Sequence, residues 1–472
     1  MQLTLARWEF AVVTVFHFFF VPVTIGLGFL VALMQTLAYL RKDQEWDRLS
    51  RFFGHLFLIN IAVGVVTGIT LEFQFGLNWS AYSIFVGNIF GAPLAIEALL
   101  AFFMESTFIG LWIFGRDRLS PRLHLATIWL TSLGTILSAL FILAANSWMQ
   151  HPVGYRVLHG QAVLTNFWAV LGNPLLWGAF SHTVLGAFAT AGTLVLGISV
   201  WRAHRGRNGP EHAGFFKAAR FSAVFTLVTT VLVGIAGDLQ ARLMDVYQPM
   251  KMAAAEALYN TKSGASFSLI TIGNLKEKPV FQIRVPHLLS LIADLSWNGT
   301  VKGINNIQAA DVAKYGKGSY IPVIPLTYWS FRVMVGAGIL MILLSAWGVW
   351  ASRRRGSELA GGTWFKRLAM WGIALPFIAN TTGWIFTEAG RQPWVVFGLM
   401  LTAKGVSSLT VADVALTLAG FVAVYTVLGV VDAWLMVRAS RRPLSGGDEG
   451  ESTRGLKALE GLEGGEAPGL VY

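Results

Sequence analysis

Nine apolar stretches, each long enough to cross a bilayer, recur along this 472-residue chain. A spanning helix needs roughly 20 mostly apolar residues. In hydrocarbon every backbone polar group must be satisfied within the structure, which leaves helices or closed barrels, and runs of this length fit helices. The expected spans are Trp8–Leu40, Phe52–Gly76, Ala92–Phe114, His124–Met149, Pro174–Trp201, Phe215–Gly237, Leu326–Trp350, Phe365–Glu388 and Ala412–Val437. A hydrophobic share of 54% against 13% charged residues fits an all-α integral membrane protein and excludes an ordinary soluble domain.

The net charge of +11 is a property of the loops. Arg41, Lys42, Arg48 and Arg51 follow the first span, Arg116, Arg118 and Arg122 the third, Arg202, Arg205 and Arg207 the fifth, and Arg353, Arg354 and Arg355 the seventh. Connections on the other side, such as Gly76–Gly91, carry no Lys or Arg. The positive-inside rule then puts the N-terminus outside and, after nine spans, the C-terminus in the cytoplasm. Charge placed this way marks a membrane face and leaves no nucleic-acid partner to explain.

Met1–Arg7 lacks the basic start of a secretory signal, so the first span is expected to be retained. With no Cys in the chain, disulfides, iron–sulfur clusters, thiolate haem ligation and thioether-attached haem all fall away. The chain divides into residues 1–238 with six spans, a segment at 239–325 expected to lie outside and to be partly folded, residues 326–439 with three spans, and a Gly- and Glu-rich tail at 440–472 expected to be disordered. There is no internal repeat of the kind that marks many transporters.

Ionisable groups inside a membrane are costly and tend to be functional. Of nine histidines only His17 and His182 lie well inside a span. His17 is about nine residues into the first span, roughly 13 Å deep at 1.5 Å per residue. His182 is about eight residues into the fifth, which runs the same way. Either ring alone could serve only to bond a neighbouring helix. Met334 lies at comparable depth in the seventh span, with Arg332 two residues before it. A lone Met there is ordinarily packing, but His with Met would make a six-coordinate haem whose thioether raises the reduction potential.

Glu97 and Glu105 share the third span. Eight residues is two helical turns and a little more, so the carboxylates face nearly the same way about 12 Å apart in depth. They fit stations for protons; the alternative is that each pairs with an Arg on another helix. Glu388 ends the eighth span in GWIFTEAGRQPW, with Arg391 three residues on. This is either a helix-end ion pair or an oxygen ligand to haem, with Arg391 compensating a propionate or the carboxylate itself.

FHFFFVPVTIG, GVVTGITLEFQFGLNWS, GNIFGAPLAIEALLAFFMEST, LSALFILAANSWMQHP, FSHTVLGAF, FRVMVGAG and GRQPW together resemble subunit I of the cytochrome bd-type quinol oxidases, in order and at similar spacing. The resemblance covers nearly all of the membrane portion. It implies that His182 and Met334 are the axial pair of a low-spin haem b. His17 and Glu388 would be the axial ligands of a high-spin haem b and of haem d, in either order, with a third haem b in place of haem d in cyanide-insensitive relatives. Glu97 resembles the carboxylate beside the active haem. Glu105, Ser106 and Ser138 resemble a proton path from the cytoplasm, and Trp384 the aromatic residue between haems.

Lys251 and Glu256 in PMKMAAAEALYN match the family's quinol pair, and quinol loss of two protons does call for a carboxylate acceptor and a cation. About seventy residues separate Lys251 from the next span, which indicates the short-loop subtype. The short loop, with high Gly and Arg usage, points to menaquinol.

The implied activity is quinol oxidation near the outer face and reduction of dioxygen to water with cytoplasmic protons, generating a proton motive force without pumping. The implied setting is a bacterial cytoplasmic membrane, with a second membrane subunit and a small single-span one as partners. A haem–copper oxidase would need an adjacent His pair, which is missing, and a bc-type cytochrome b would need more than two intramembrane histidines. A proton-coupled secondary transporter would also account for Glu97, Glu105 and Glu388.

Overall fold

The computed structural model describes residues 1–205, 209, 211–276, 279–353 and 362–444. Arg207, Arg354, Arg355 and tail residues 445–472 lie outside the described residues. Among those described, nine helices are long and apolar enough to cross a membrane.

Helices α1 (Gln2–Arg41) and α2 (Gln44–Leu77) meet at a tight corner. Lys42 takes the left-handed conformation there, and the Asp43 carboxylate accepts from the amides of Glu45 and Trp46 at 3.0 and 3.3 Å, capping α2. The third span comprises α3 (Ser80–Ile96), a π-helical stretch at Glu97–Phe102, and α4 (Phe103–Phe114). Helix α5 (Pro121–Gln150) follows, then the hairpin β1 (Tyr155–Leu158) and β2 (Gln161–Leu164), short α6 (Phe167–Leu171), α7 (Pro174–Arg205) and α8 (His212–Tyr247).

The segment between the sixth and seventh spans carries α9 (Pro249–Glu256), β3 (Lys262–Ser263), β4 (Phe267–Gly273), β5 (Pro279–Val285), α10 (Leu288–Asp294), β6 (Thr300–Val301) and α11 (Ile304–Tyr315). Strands β4 and β5 pair antiparallel, as do β3 and β6. Helix α12 (Ile324–Arg353) is the seventh span. The eighth breaks at Ile373 into α13 (Gly362–Gly372) and α14 (Ala374–Gly390). A small hairpin, β7 (Trp394–Val396) and β8 (Met400–Leu401), leads to α15 (Val411–Ser440), whose first turn closes with a Thr410–Asp413 capping box.

Two expected boundaries move. The third span begins at Ser80, so the expected Gly76–Gly91 connection shrinks to the corner at Asn78 and Trp79. Its turn-forming residues are engaged elsewhere: Ser83 Oγ donates to the Phe75 carbonyl at 2.6 Å, and Asn88 Oδ1 accepts from the Leu164 amide at 2.8 Å. Helix α8 continues past Gly237 to Tyr247, and Arg242 pairs with Asp238 one turn back, so two charges are accommodated along the helix.

Helix α7 is the hub. Of its most apolar window 78% is buried, against 11% for α15, so α15 presents most of its surface to surroundings other than this chain. Small residues allow the close approach, since membrane helices gain by backbone proximity more than by hydrophobic exclusion. A Cβ on Gly26 would run into the Ala187 carbonyl and stand 2.5 Å from Ala191 Cβ, and one on Gly192 would stand 2.5 Å from Thr226 Oγ1.

Gly26→Leu is expected to push α1 off α7 and cost at least about 1–3 kcal/mol, the usual range for overpacking. Thermal unfolding of the detergent-solubilised protein checks this, and an unchanged midpoint would contradict the close packing.

Candidate active site

Helices α1 and α2 meet around His17. Its Nδ1 lies 3.0 Å from Thr67 Oγ1, while the Thr67 hydroxyl has the carbonyls of Val63 and Gly64 to donate to, at 3.0 and 2.9 Å. With its proton turned to one of those carbonyls, the threonine oxygen accepts from the ring, so that Nδ1 carries the proton and Nε2 keeps its lone pair. His182 arrives at the same state differently. Its Nδ1 is 3.2 Å from the Val233 carbonyl, an oxygen that can only accept. Glycines give both rings room: a Cβ on Gly68 would stand 3.2 Å from His17 Cε1, and one on Gly237 3.3 Å from His182 Cε1.

Thr193 Oγ1 on α7 touches Met341 Sδ on α12 at 3.8 Å, which fixes the level of one helix against the other. His182 is eleven residues from that contact along α7 and Met334 seven along α12. At 1.5 Å per residue these are about 16 and 10 Å, so the two side chains differ in depth by about one helical turn. On α14, Gly383 leaves Met334 space, since a Cβ there would lie 3.1 Å from the sulfur. The next residue, Trp384, packs edge-on against Phe18 of α1 with ring centroids 5.0 Å apart.

Glu388 sits in the last turn of α14. Its Oε2 is paired with Arg391, whose Nε donates at 2.8 Å, and its Oε1 accepts from Asn146 Nδ2 at 3.1 Å. Arg391 is itself buried and donates to the Val395 carbonyl at 2.8 Å. Arg332 turns away from Met334 to donate from Nη2 to Glu256 Oε1 at 2.8 Å. Among the described residues its Nε and Nη1 are buried with no hydrogen-bond partner, the guanidinium lying over the rings of Phe267, Tyr328 and Phe331. Two unpaired guanidinium donors in a dry interior are expensive, so this corner lacks an acceptor.

Both acidic residues of the third span pack against α5. Ser138 Oγ donates to Glu97 Oε1 at 2.6 Å, and Gly134, one turn earlier, lies against Glu105. The three residues expected along the proton path take different surroundings. Ser138 serves Glu97, and Ser106 is exposed with its hydroxyl turned back to the Phe103 carbonyl at 3.1 Å. Four residues separate Gly134 from Ser138, so Glu105 and Glu97 follow each other along one face of α5.

Lys251 and Glu256 are both buried on α9 but diverge. Five residues on an α-helix turn the second side chain about 140° from the first. Lys251 Nζ donates to Gln150 Oε1 at 2.6 Å. Burial, with a smaller contribution from Arg391, pushes its pKa down to about 7. Glu256 faces Arg332 and accepts from the Ser268 amide of β4 at 2.9 Å. Burial raises its pKa, and Arg332 and the Ser268 amide oppose that rise.

Residues 5–443 match the family model for cytochrome bd terminal oxidase subunit I. This chain belongs to that family. A Bacillus subtilis (strain 168) protein named cytochrome bd ubiquinol oxidase subunit 1 is 47% identical over 445 residues, covering 93% of this chain and 94% of its own. The Escherichia coli (strain K12) cytochrome bd-II ubiquinol oxidase subunit 1 is 34% identical over 497 residues, covering 93% and 96%. In three dimensions the chain is similar to the bd oxidase of Geobacillus thermodenitrificans, with a TM-score of 0.85 and 27% identity over 93% of this chain and 98% of that one.

Cytochrome bd oxidases are haem proteins, and the donor set here fits haem. Two imidazoles with Nδ1–H committed to oxygen acceptors offer bare Nε2 atoms, the usual state of a metal-binding histidine. The unpaired Arg332 donors suit a propionate. Sequence reasoning missed Thr67, Asn146 and Gln150. The last two lie four residues apart in AANSWMQHP, a spacing that puts both on one face of the terminal turn of α5.

Thr67→Val preserves shape but removes the acceptor for His17 Nδ1–H. Haem affinity at His17 is expected to fall by about 10–100-fold, as for other partners that orient a ligand. Haem per chain in the purified oxidase measures it; full occupancy with an unshifted spectrum would rule the role out.

Proposed function

We propose that this terminal oxidase subunit, working with a second membrane subunit, oxidises a quinol at Lys251 and Glu256 and delivers its electrons to dioxygen. His182 and Met334 would hold a low-spin haem b, and His17 and Glu388 a high-spin haem b and a haem d. Haem iron bound there supplies one-electron transfer and oxygen binding. The observation that carries this reading is the pair of intramembrane imidazoles with Nδ1 engaged and Nε2 free.

The chain's own residues divide the proton work. The Lys251 ammonium holds one quinol oxygen, and Glu256 takes up a proton as the ring is oxidised. The Ser268 amide and Arg332 hold the Glu256 carboxylate in place. Glu105 and the Glu97–Ser138 pair carry protons along the α5 face toward the oxygen-reducing end. The basic ends of the odd-numbered spans support an outside N-terminus, which puts α9 and the quinol residues at the outer face.

Protons released there and protons drawn from the other side separate charge without a pump. Each charge moved fully across stores roughly 2.3 kcal/mol per 100 mV. Two relatives are named as ubiquinol oxidases, whereas the short loop favours menaquinol; a cation for a quinol oxygen and a carboxylate for its proton serve either ring. The setting is a bacterial cytoplasmic membrane, with a small single-span subunit as a further partner.

His182→Ala and Met334→Leu are each expected to remove the low-spin haem signal from the reduced-minus-oxidised spectrum together with quinol oxidation. A normal spectrum in either variant would exclude that ligand pair.

The pH dependence follows from Lys251, which is cationic below about pH 7 and neutral above it. The quinol contact is therefore present at low pH and lost as pH rises. Quinol KM is expected to climb several-fold between about pH 6 and 8 in the native protein and to stay flat in Lys251→Arg, because arginine keeps its charge throughout that range. Steady-state kinetics across that range decide it, and identical profiles would move the quinol cation elsewhere.

A further inference from the structure

We propose that Gln150 and Asn146 form a one-way hydrogen-bonded link through which the Lys251 ammonium tunes the Glu388 carboxylate, so that occupancy of the quinol site adjusts the iron held at Glu388. The inference rests on the reading above for the roles of Lys251 and Glu388, but the link itself is a property of the structure. Lys251 Nζ donates to Gln150 Oε1 at 2.6 Å, Gln150 Nε2 to Asn146 Oδ1 at 2.9 Å, and Asn146 Nδ2 to Glu388 Oε1 at 3.1 Å. Four side chains from α9, α5 and α14 thus form an unbroken line between the two sites.

The direction of every bond is forced by the ends. An ammonium only donates and a carboxylate only accepts. Gln150 must therefore present its oxygen to Lys251 and its nitrogen to Asn146, and Asn146 its nitrogen to Glu388. Neither amide can flip without breaking two bonds. Head-to-tail hydrogen bonds polarise one another in a low-dielectric interior, so positive charge at Lys251 makes Asn146 a stronger donor to Glu388.

The line is also braced. Gln248 Nε2 donates to the Gln150 backbone carbonyl at 2.5 Å, and the Lys251 amide donates to the Gln248 carbonyl at 2.9 Å, which ties the start of α9 to the end of α5. Gly390 lets α14 close on the lysine, since a Cβ there would lie 2.8 Å from Lys251 Cγ. Arg391, the other cation at Glu388, bonds Oε2 and leaves Oε1 to the link.

When Lys251 turns to a quinol oxygen, its grip on Gln150 weakens and so does the Asn146 bond. The carboxylate becomes more electron-rich and favours the oxidised iron. A haem held at Glu388 would then sit at a lower potential while quinol occupies the site, and at a higher one after product leaves.

The test is a double-mutant cycle on the purified oxidase complex, read by spectroelectrochemical titration of the haem signal that Glu388→Ala removes. Lys251→Met is expected to lower that midpoint potential. In a Gln150→Leu background the same lysine substitution is expected to produce less than half of that shift, because the route is already cut. Equal shifts in both backgrounds would overturn the link and leave only interaction through space. If Gln150→Leu does not assemble, Gln150→Glu serves in its place: it still accepts from Lys251 but cannot donate to Asn146. Should Glu388→Ala keep every haem signal, the ligand reading fails and the inference with it, whereas loss of one signal together with equal shifts rejects the coupling alone.

Discussion

A polar atom in the membrane interior has no water to fall back on, and the whole arrangement of this protein follows from that. Along the spans the hydroxyls of Thr190, Thr193, Ser222 and Ser345 bond the carbonyl four residues back, at 2.7 to 2.8 Å, and so satisfy themselves within their own helix. Against this background an atom left over is informative. The bare Nε2 atoms of His17 and His182 are such atoms, as are the unpaired Nε and Nη1 of Arg332, which carry formal charge where the unpartnered hydroxyls of Ser132, Ser199 and Thr226 do not. Glycines at 68 and 237 lie against the two imidazoles and one at 383 against Met334, which keeps space open where a side chain would fill it.

The same constraint shapes the third span. On a regular α-helix, eight residues leave Glu97 and Glu105 about 80° apart, enough to turn one of them off the α5 seam. The π-helical stretch that begins at Glu97 has more residues per turn and reduces that angle. Pro93 lies just before it and cannot donate to the preceding turn, so the helix is already loosened there. The result is two acidic residues packed against Ser138 and Gly134 on one neighbour.

What could be read from the sequence divides along physical lines. The nine membrane-length helices among the described residues were legible because length and apolarity alone decide them, although Ser80–Gly91 reads as a turn until its Ser and Asn side chains are seen bonding across to neighbours. His17, His182 and Glu388 were legible as rare polar residues in apolar runs. Partnerships were not. Nothing in the spacing of Lys251 and Glu256 shows that one faces Gln150 on α5 and the other Arg332 on α12. Likewise, Ser138 pairs with Glu97 and not with Glu105 because of how two helices are rotated, and a single strand of text does not carry that rotation.

Lys251 shows what such a site asks of the fold. Its pKa is lowered by burial from 10.5 to about 7, so between those values the unfolded chain holds a proton that the folded one has released. Stability therefore rises with pH across that window, and at or below about pH 7 the folded protein carries a buried ammonium at a cost to its own stability. A structural lysine would escape that cost by reaching solvent, as long basic side chains usually do. Here α9 is pinned by Gln248 at one end and by the Glu256 contacts with Ser268 and Arg332 at the other, and the ammonium is held against Gln150. A fold that keeps a charge where it is least comfortable has positioned it for something that arrives later. In the proposed reaction that something is the oxygen of a quinol.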